Sequence, residues 1–428
     1  MIKEFLDEHL DVSKPLLLAL SGGADSKALL HLLLEFQAQK PFELHIAHID
    51  HGWRKESSIE ASELKILAGF HGIAFHLEVL NEMPPNNLEE FFRIKRYEFF
   101  EKLQDQFGFQ AVVLGHHQDD LVETILKRLF EGASFKNILA MDFISKKGSL
   151  TLWRPLLGIK KNNLLDFIQK QELTYFDDYT NQDNTYLRSR TRQVILPFIN
   201  KTFGKEISKP LLRLAKDLKE VDSYLDLKTS DIWQLRLCGP FGIALDLSLV
   251  SHDVERKHLF RKMAFSQNFS YTRSVEEFLI QALNKKKTDS YFEFKGGYFV
   301  VDRGFVFLVT HKAELNNWVV EKSQIKQSSN WKDVWLGKVS IPLYKSFTLK
   351  KACSNDLLFN KTSLDKWWQQ HKVPAFLRSF VPSIVVEDKL VFEMLSGVKF
   401  QQQEGVELES ANLIYIAKHR FTNQKHVF

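Results

Sequence analysis

The stretch LLLALSGGADSKALLHLLLEF, residues 16–36, decides the fold. An unbroken apolar run reaches Ser21, then two glycines, an aspartate and a serine intervene, and apolar residues resume near a 3.6-residue period. The first run suits a strand buried on both faces, and the second suits a helix. The turn between them carries glycine where the backbone must approach something closely. A helix start offers unpaired N–H donors and the positive end of a dipole, so the unit is built for an anion, phosphate above all. Gly22, Gly23 and Ala24 supply backbone donors, and Ser21 and Ser26 add hydroxyls. Asp25 is the odd residue. A carboxylate beside phosphates is repulsive unless a cation lies between them, so Asp25 reads as a Mg²⁺ ligand. The spacing is not the GxxxxGK(S/T) of ordinary phosphoryl-transfer loops, since Lys27 lacks the glycine pattern before it. A simply capped helix start is the competing reading.

Outward from this turn, short apolar runs at 15–21, 43–50, 73–80 and 110–117 alternate with helical patterns at 25–36, 58–70, 88–107 and 119–132. Such alternation predicts an α/β fold, a parallel sheet with helices on both faces. Ligands on these sheets bind beyond the carboxyl ends of the strands, where Ser21, Asp50 and His116 all fall. TRQVILPFINKTFG, 191–204, reads as the end of this domain, giving a catalytic domain over 1–204. A mainly helical middle domain is expected over 205–320, with a β meander at 291–310. The polar stretch 320–333 reads as a linker or exposed loop, and 335–428 as a small α+β domain. Its segment KWWQQHKVPAFLRSFVP, 366–382, suits RNA or core equally.

Composition narrows the class. With 44% hydrophobic and 26% charged residues, the 428-residue chain is neither disordered nor fibrous. A net charge of +5 permits a nucleic-acid partner without requiring one. The two cysteines, Cys238 and Cys353, lack CxxC spacing, which argues against a disulfide framework or zinc site, and both read as packing residues. The acidic, non-apolar start argues against a signal peptide, and no apolar run reaches the roughly 20 residues of a membrane span. A cytoplasmic protein with no membrane partner is expected.

Three further motifs carry chemistry. HIDHGWR ends the second strand with His48 and Asp50 on one face, His51 opposite, and Arg54 beyond. Without cysteine or an HExxH helix, it reads as positioning adenine, ribose or phosphate rather than zinc. GHHQDDLVET opens a helix on which Asp120 and Glu123 share a face, with Lys127 and Arg128 beyond. Two carboxylates at a nucleotide crevice suit an ammonium-bearing substrate, although acids at a helix start are also plain dipole partners. EEFFRIKRYEFF places Arg93 and Arg96 on adjacent turns, as a solvated face or as phosphate ligands. DDYTNQDNTYLRSRTRQVILP packs Asp177, Asp178, Asn181, Arg188, Arg190 and Arg192 into a polar segment before a helix, and arginine suits phosphate.

The turn SGGADS resembles the PP-loop of ATP pyrophosphatases, which attack the α-phosphate and release pyrophosphate. With HIDHG, the ERxxRYxFF-like segment, HHxDDxxET and the DxTN…RxRxRxxxxP segment in this order, residues 15–200 resemble the tRNA(Ile)-lysidine synthases. HKVPAFLRSFVP resembles the C-terminal domain of that family. Trp53 stands where leucine is usual, and Ser189 where asparagine is expected. The resemblance implies ATP binding by Ser21, Gly22, Gly23, Ala24, Asp25, Ser26, His51 and His116, with Mg²⁺ held on Asp25 through ATP. It implies catalytic roles for Asp25, Asp120, Glu123 and Arg188, with Asp120 and Glu123 binding free L-lysine. Arg93, Arg96, Arg128 and Arg192 would contact tRNA or phosphate. The partner implied is tRNA(Ile) with a CAU anticodon, and a homodimer is compatible. A PP-loop tRNA thiolase is the alternative enzyme. It would need a sulfur-carrying cysteine near the crevice, and none occurs in the first 200 residues. A catalytically inert tRNA-binding module is the alternative of another class, and the acidic residues argue against it.

Overall fold

The computed structural model describes residues 2–52, 56–80, 88–133, 138, 141–176, 187–267, 269–294, 296–310, 318–322, 330–342, 348–351, 363–379, 381–386, 389–395, 398–399 and 410–415. Trp53, Arg54, Asp177, Asp178, Asn181, Cys353 and most of the 320–333 stretch lie outside them. The chain forms two compact units, residues 1–222 and 223–424.

In the first unit, β1 (Leu16–Ala19), β2 (Leu44–Asp50), β3 (Ala74–Val79) and β4 (Val112–Val113) are parallel, as the alternation requires. A hairpin of β5 (Ile144–Lys147) and β6 (Leu150–Trp153) extends the sheet to the order β3-β2-β1-β4-β6-β5, with β6 parallel to β4 and β5 antiparallel at the edge. The hairpin was not legible in sequence, because its edge strand, ISKK, is polar and half exposed. Between the strands run α1 (Ile2–His9) before β1, then α2 (Ala24–Gln39), α3 (Ser57–Phe70), α4 (Leu88–Phe107) and α5 (Gln118–Phe130). Further helices are α6 (Lys161–Lys170), α7 (Leu187–Arg190), a π-helical turn (Thr191–Ile195), α8 (Leu196–Phe203) and α9 (Ser208–Lys228).

The apolar run of β1 is continuous because both faces are covered. Leu16, Leu18 and Leu20 pack with Ala28, Leu29 and Leu33 of α2, while Leu17 packs with Phe99, Phe100 and Leu103 of α4. From β1 the chain steps outward to β2 and β3, then crosses to β4 on the other flank of β1. The order reverses between β1 and β4, so the loops after these strands part around a crevice.

The second unit holds α10 (Ser230–Gln234), α11 (Asp253–Ser266) and α12 (Arg273–Asn284) with β7 (Leu237–Gly239), β8 (Gly242–Asp246), β9 (Ser290–Phe294), β10 (Gly297–Asp302) and β11 (Phe305–Val309). These strands form an antiparallel sheet in the order β7-β8-β11-β10-β9, whose last three strands are the expected meander. Alternation again divides the strands. Phe299, Val301, Val306 and Leu308 face α11 and α12, whereas Val300, Phe307 and Val309 face Trp335, Trp368, Leu377, Ile384 and Phe392 from the C-terminal segment. That segment carries α13 (Trp331–Trp335), α14 (Leu364–Gln370), a three-stranded sheet and a four-stranded sheet. Trp368 and Leu377 of the 366–382 segment therefore serve the core. Cys238 is exposed, against the expectation that it packs, because β7 is the sheet's edge strand.

Trp335 joins the two halves of this core, meeting Phe241 and Phe307 and donating from its indole N–H to the Leu237 carbonyl at 3.0 Å. Trp335→Ala should cost about 3–5 kcal/mol in urea unfolding. Amide exchange should then rise together in β8–β11 and in 382–393; a rise confined to the C-terminal segment would refute a shared core.

Candidate active site: a phosphate-type turn joined to paired carboxylates

The turn after β1 is held by one hydroxyl. Ser26 Oγ accepts from the Gly22 N–H at 3.1 Å and from Ser21 Oγ at 3.1 Å, and donates to the Gly23 carbonyl at 3.0 Å. Its donor and both lone pairs are thus engaged, so Ser26 pins the turn rather than pointing outward. Gly22 has φ +87°, and a Cβ there would lie 2.5 Å from the Phe176 ring. Gly23 is the N-cap of α2 and gives it no side-chain cap, leaving the first-turn N–H groups to a ligand. Across the crevice, a Cβ on Gly115 would lie 3.4 Å from the Ser26 nitrogen, so the end of β4 presses backbone to backbone on the start of α2. Neither Phe176 nor Gly115 carried a signal in sequence.

Asp25 leaves the turn toward two partners. Lys161 Nζ donates to both of its carboxylate oxygens at 2.7 Å, and His117 Nε2 lies 3.7 Å from Oδ2. His117 is the N-cap of α5, where its Nδ1 accepts from the Asp119 N–H and its own N–H donates to Asp120 Oδ2 at 3.0 Å. With Nδ1 accepting, the neutral tautomer places its proton on Nε2, which faces Asp25 and, at 3.5 Å, Asp120.

Asp120 and Glu123 lie on the buried side of α5 with Val122, Ile125 and Leu126. Arg192 Nε donates to Glu123 Oε1 at 2.6 Å and its Nη2 to Asp120 Oδ1 at 3.3 Å. Arg188 reaches Glu123 Oε2 and Asp120 Oδ1, each at 3.4 Å. The arginines are four residues apart, so the helical run 187–195 sets them on one side. Burial alone would raise the Asp120 carboxyl, but His117, Arg188 and the His117 backbone N–H outweigh it and hold it below the ordinary carboxylate range. Burial likewise opposes the charge on Arg192, yet its bond to Glu123 and the nearby acids raise it. One chain of polar contacts thus runs from Lys161 through Asp25, His117 and Asp120 to Arg188, Arg192 and Glu123.

The structure brings Ser21 through Ser26 together with Asp120, Glu123, Arg188 and Arg192. His116, at the end of β4, is pushed down to about 4, chiefly by burial; Arg154, Arg188 and Arg96 add to this against the pull of Asp120. Its Nδ1 is buried without a hydrogen-bond partner. His51 stands with its ring 4.4 Å from that of Phe92. His48 donates from Nδ1 to the Leu20 carbonyl at 2.8 Å, and Asp50 accepts from the Gly52 N–H at 2.8 Å, so both shape the strand end. Arg93 pairs with Glu90 on its own helix, and its charge is felt by Arg128 and Lys147, forming a separate basic group. Among the described residues no cluster of three or more potential metal ligands occurs, and no helix is long and apolar enough to cross a membrane.

This turn, set at the reversal of a parallel sheet, defines a PP-loop nucleotide-binding domain, and residues 1–199 match the PP-loop domain family. The tRNA(Ile)-lysidine synthase of Protochlamydia amoebophila (strain UWE25) is 34% identical over 443 residues, 97% of this chain and 96% of that one. The enzyme of the same name from Chlamydia muridarum is 41% identical over 226 residues, 52% of this chain and 69% of that one. The chain belongs to the tRNA(Ile)-lysidine synthase family. Among solved structures, the U34-tRNA thiolase NcsA from Methanococcus maripaludis is similar at a TM-score of 0.42 and 19% identity, over 51% of this chain and 77% of that one.

Two outcomes follow from the geometry. Gly22→Ala should lose about 1–3 kcal/mol of stability through the positive φ and the Phe176 contact, read in thermal unfolding; an unchanged midpoint would contradict the turn geometry. His116 has a folded value of about 4 against about 6.5 unfolded, so the unfolded chain binds more protons between them. Stability should rise with pH across this window and fall as pH drops from about 6.5 toward 4. In His116→Asn the plot of urea midpoint against pH should flatten by up to one proton.

Proposed function

We propose that this chain makes lysidine, joining free L-lysine to C2 of the wobble cytidine of tRNA(Ile) with a CAU anticodon. The observation that carries the reading is the chain of polar contacts linking Asp25 of the PP-loop to Asp120 and Glu123, within a member of this family. ATP first activates the base: cytidine O2 attacks the α-phosphorus, the bond to the bridging oxygen breaks, and pyrophosphate leaves. The free N–H groups at the start of α2 hold the phosphates, and the positive dipole end favours the charge that develops on the leaving group. Asp25, 27% exposed, and phosphate oxygens would supply the oxygen donors that Mg²⁺ takes, with the Asp25 carboxylate shared between the ion and Lys161, and the ion would offset that charge when bound.

The ε-amine of lysine then attacks C2, the C2–O bond breaks, and AMP leaves. At pH 7 only about one lysine in 10³ is neutral, so the site must hold an ammonium and remove its proton. Asp120 and Glu123 suit both tasks, but Arg188 and Arg192 already occupy them. The adenylyl phosphate offers those guanidinium forks a second anionic partner, which would free carboxylate oxygens for lysine. Adenylation would therefore precede lysine binding. Displacing an anticodon-loop base toward the site costs only a few kcal/mol. Arg96 and the Arg93–Arg128–Lys147 group suit backbone phosphates, and the regions 205–320 and 335–428, parts of which share one core, are proposed to bind tRNA together. A homodimer and a cytoplasmic location belong to the same reading.

Incubation with ATP, labelled lysine and bulk tRNA should release AMP and pyrophosphate and place the label in one anticodon nucleoside. Release of ADP and orthophosphate alone would overturn the proposal, and tRNA that takes up no lysine label but is modified when a sulfur donor is supplied would favour the thiolase. Glu123→Gln should slow lysine transfer at least tenfold more than adenylation, read by single-turnover assays of each step; equal losses would remove Glu123 from lysine handling.

A further inference from the structure

Lys160 and Lys161 stand side by side at the start of α6, but they face different ways. Lys160 Nζ donates outward to Glu206 at 2.7 Å, on the surface. Lys161 Nζ turns inward to Asp25 at 2.7 Å from each carboxylate oxygen. Its placement does not depend on Asp25 alone. The Lys161 backbone N–H donates to Asp119 Oδ2 at 2.7 Å, and the Gln118 N–H donates to the Ile159 carbonyl at 2.9 Å. These bonds tie the start of α6 to the start of α5, whose N-cap His117 faces Asp25. Backbone geometry thus delivers an ammonium to the mouth of the PP-loop.

The turn itself lacks such a cation. Lys27 follows Ser26, but it is buried, with Nζ 5.6 Å from the centre of the Phe176 ring. An ammonium has three donors, and Asp25 takes two of those on Lys161. The third remains for an oxygen brought to the turn, and the positive charge offsets the repulsion between Asp25 and phosphate.

We propose that Lys161 is a phosphate-binding residue of this site, contacting the terminal phosphates of ATP and the departing pyrophosphate while it pairs with Asp25. The inference rests on the reading of the turn as an ATP site, and it adds a residue contributed by a different helix, 136 positions along the chain from Asp25.

The test is equilibrium binding of inorganic pyrophosphate, ATP and AMP to the full chain, in EDTA and without tRNA or lysine. Lys161→Met should weaken pyrophosphate and ATP about 10- to 100-fold, as loss of a charge-assisted hydrogen bond does. AMP affinity should stay within twofold, and Lys161→Arg should recover most of the loss. In turnover assays the KM for ATP should rise while the KM for lysine holds. The Asp25→Asn/Lys161→Met double variant separates direct contact from charge neutralisation. If Lys161 touches phosphate, the double variant stays weak for pyrophosphate; if affinity returns to the wild-type value, Lys161 serves only to neutralise Asp25 and the proposal fails. Equal losses for AMP and pyrophosphate, or none for either, also overturn it. Lys161→Gln, with a thermal melt matched to wild type, guards against misfolding of the Met variant. Because the binding assay needs no turnover, it reads Lys161 even if the chain makes no lysidine; a wild-type chain that binds neither ATP nor pyrophosphate would instead sink the reading of the turn.

Discussion

Two carboxylates on the buried side of a helix set the constraint on which the candidate site depends. Asp120 and Glu123 sit among Val122, Ile125 and Leu126, and Glu123 is only 3% exposed. Removing one such charge from water without a partner costs several kcal/mol. Arg188 and Arg192 meet that demand with four contacts, and His117 contributes a backbone donor. The rest follows from holding those partners in place. Helical backbone through 187–195 spaces the arginines at one turn, and a π-helical turn carries Arg192, a deviation common at functional sites. The start of α9 backs α5 through Leu211, Leu212 and Ala215 against Ile125.

Charge neutrality links this pair to the glycine turn. Asp25 would repel both incoming phosphate and its acidic neighbours, yet Lys161 and the Nε2–H of His117 stand against it. Ser26 spends its hydroxyl on the turn, which leaves backbone N–H groups as the donors for a ligand. These contacts are set by the fold itself. The arginines are 47% and 40% exposed while the carboxylates they cover are buried.

The second unit solves a different problem. Its antiparallel sheet buries both faces, one under α11 and α12 and the other under the C-terminal segment. The aromatic-rich composition is explained here, since Phe241, Phe307, Trp335, Trp368 and Phe392 share one cluster. Trp367, Trp368 and Phe376 of 366–382 are therefore drawn into packing.

The sequence by itself determined what local spacing can encode. The strand–turn–helix at 16–36, the four parallel strands, the meander and the common face of Asp120 and Glu123 were all legible, because a period of 2 or 3.6 states which side of an element is buried. The tertiary structure alone decided which groups meet. The inward turn of Lys161 rather than Lys160, the arginines as partners of the α5 carboxylates, the role of Ser26 inside the turn, the Gly115 approach and the exposure of Cys238 depend on packing between distant segments. Residues such as Lys161 and Asp25 are brought together by backbone ties between helices, and periodicity within one segment carries no information about a partner 136 positions away.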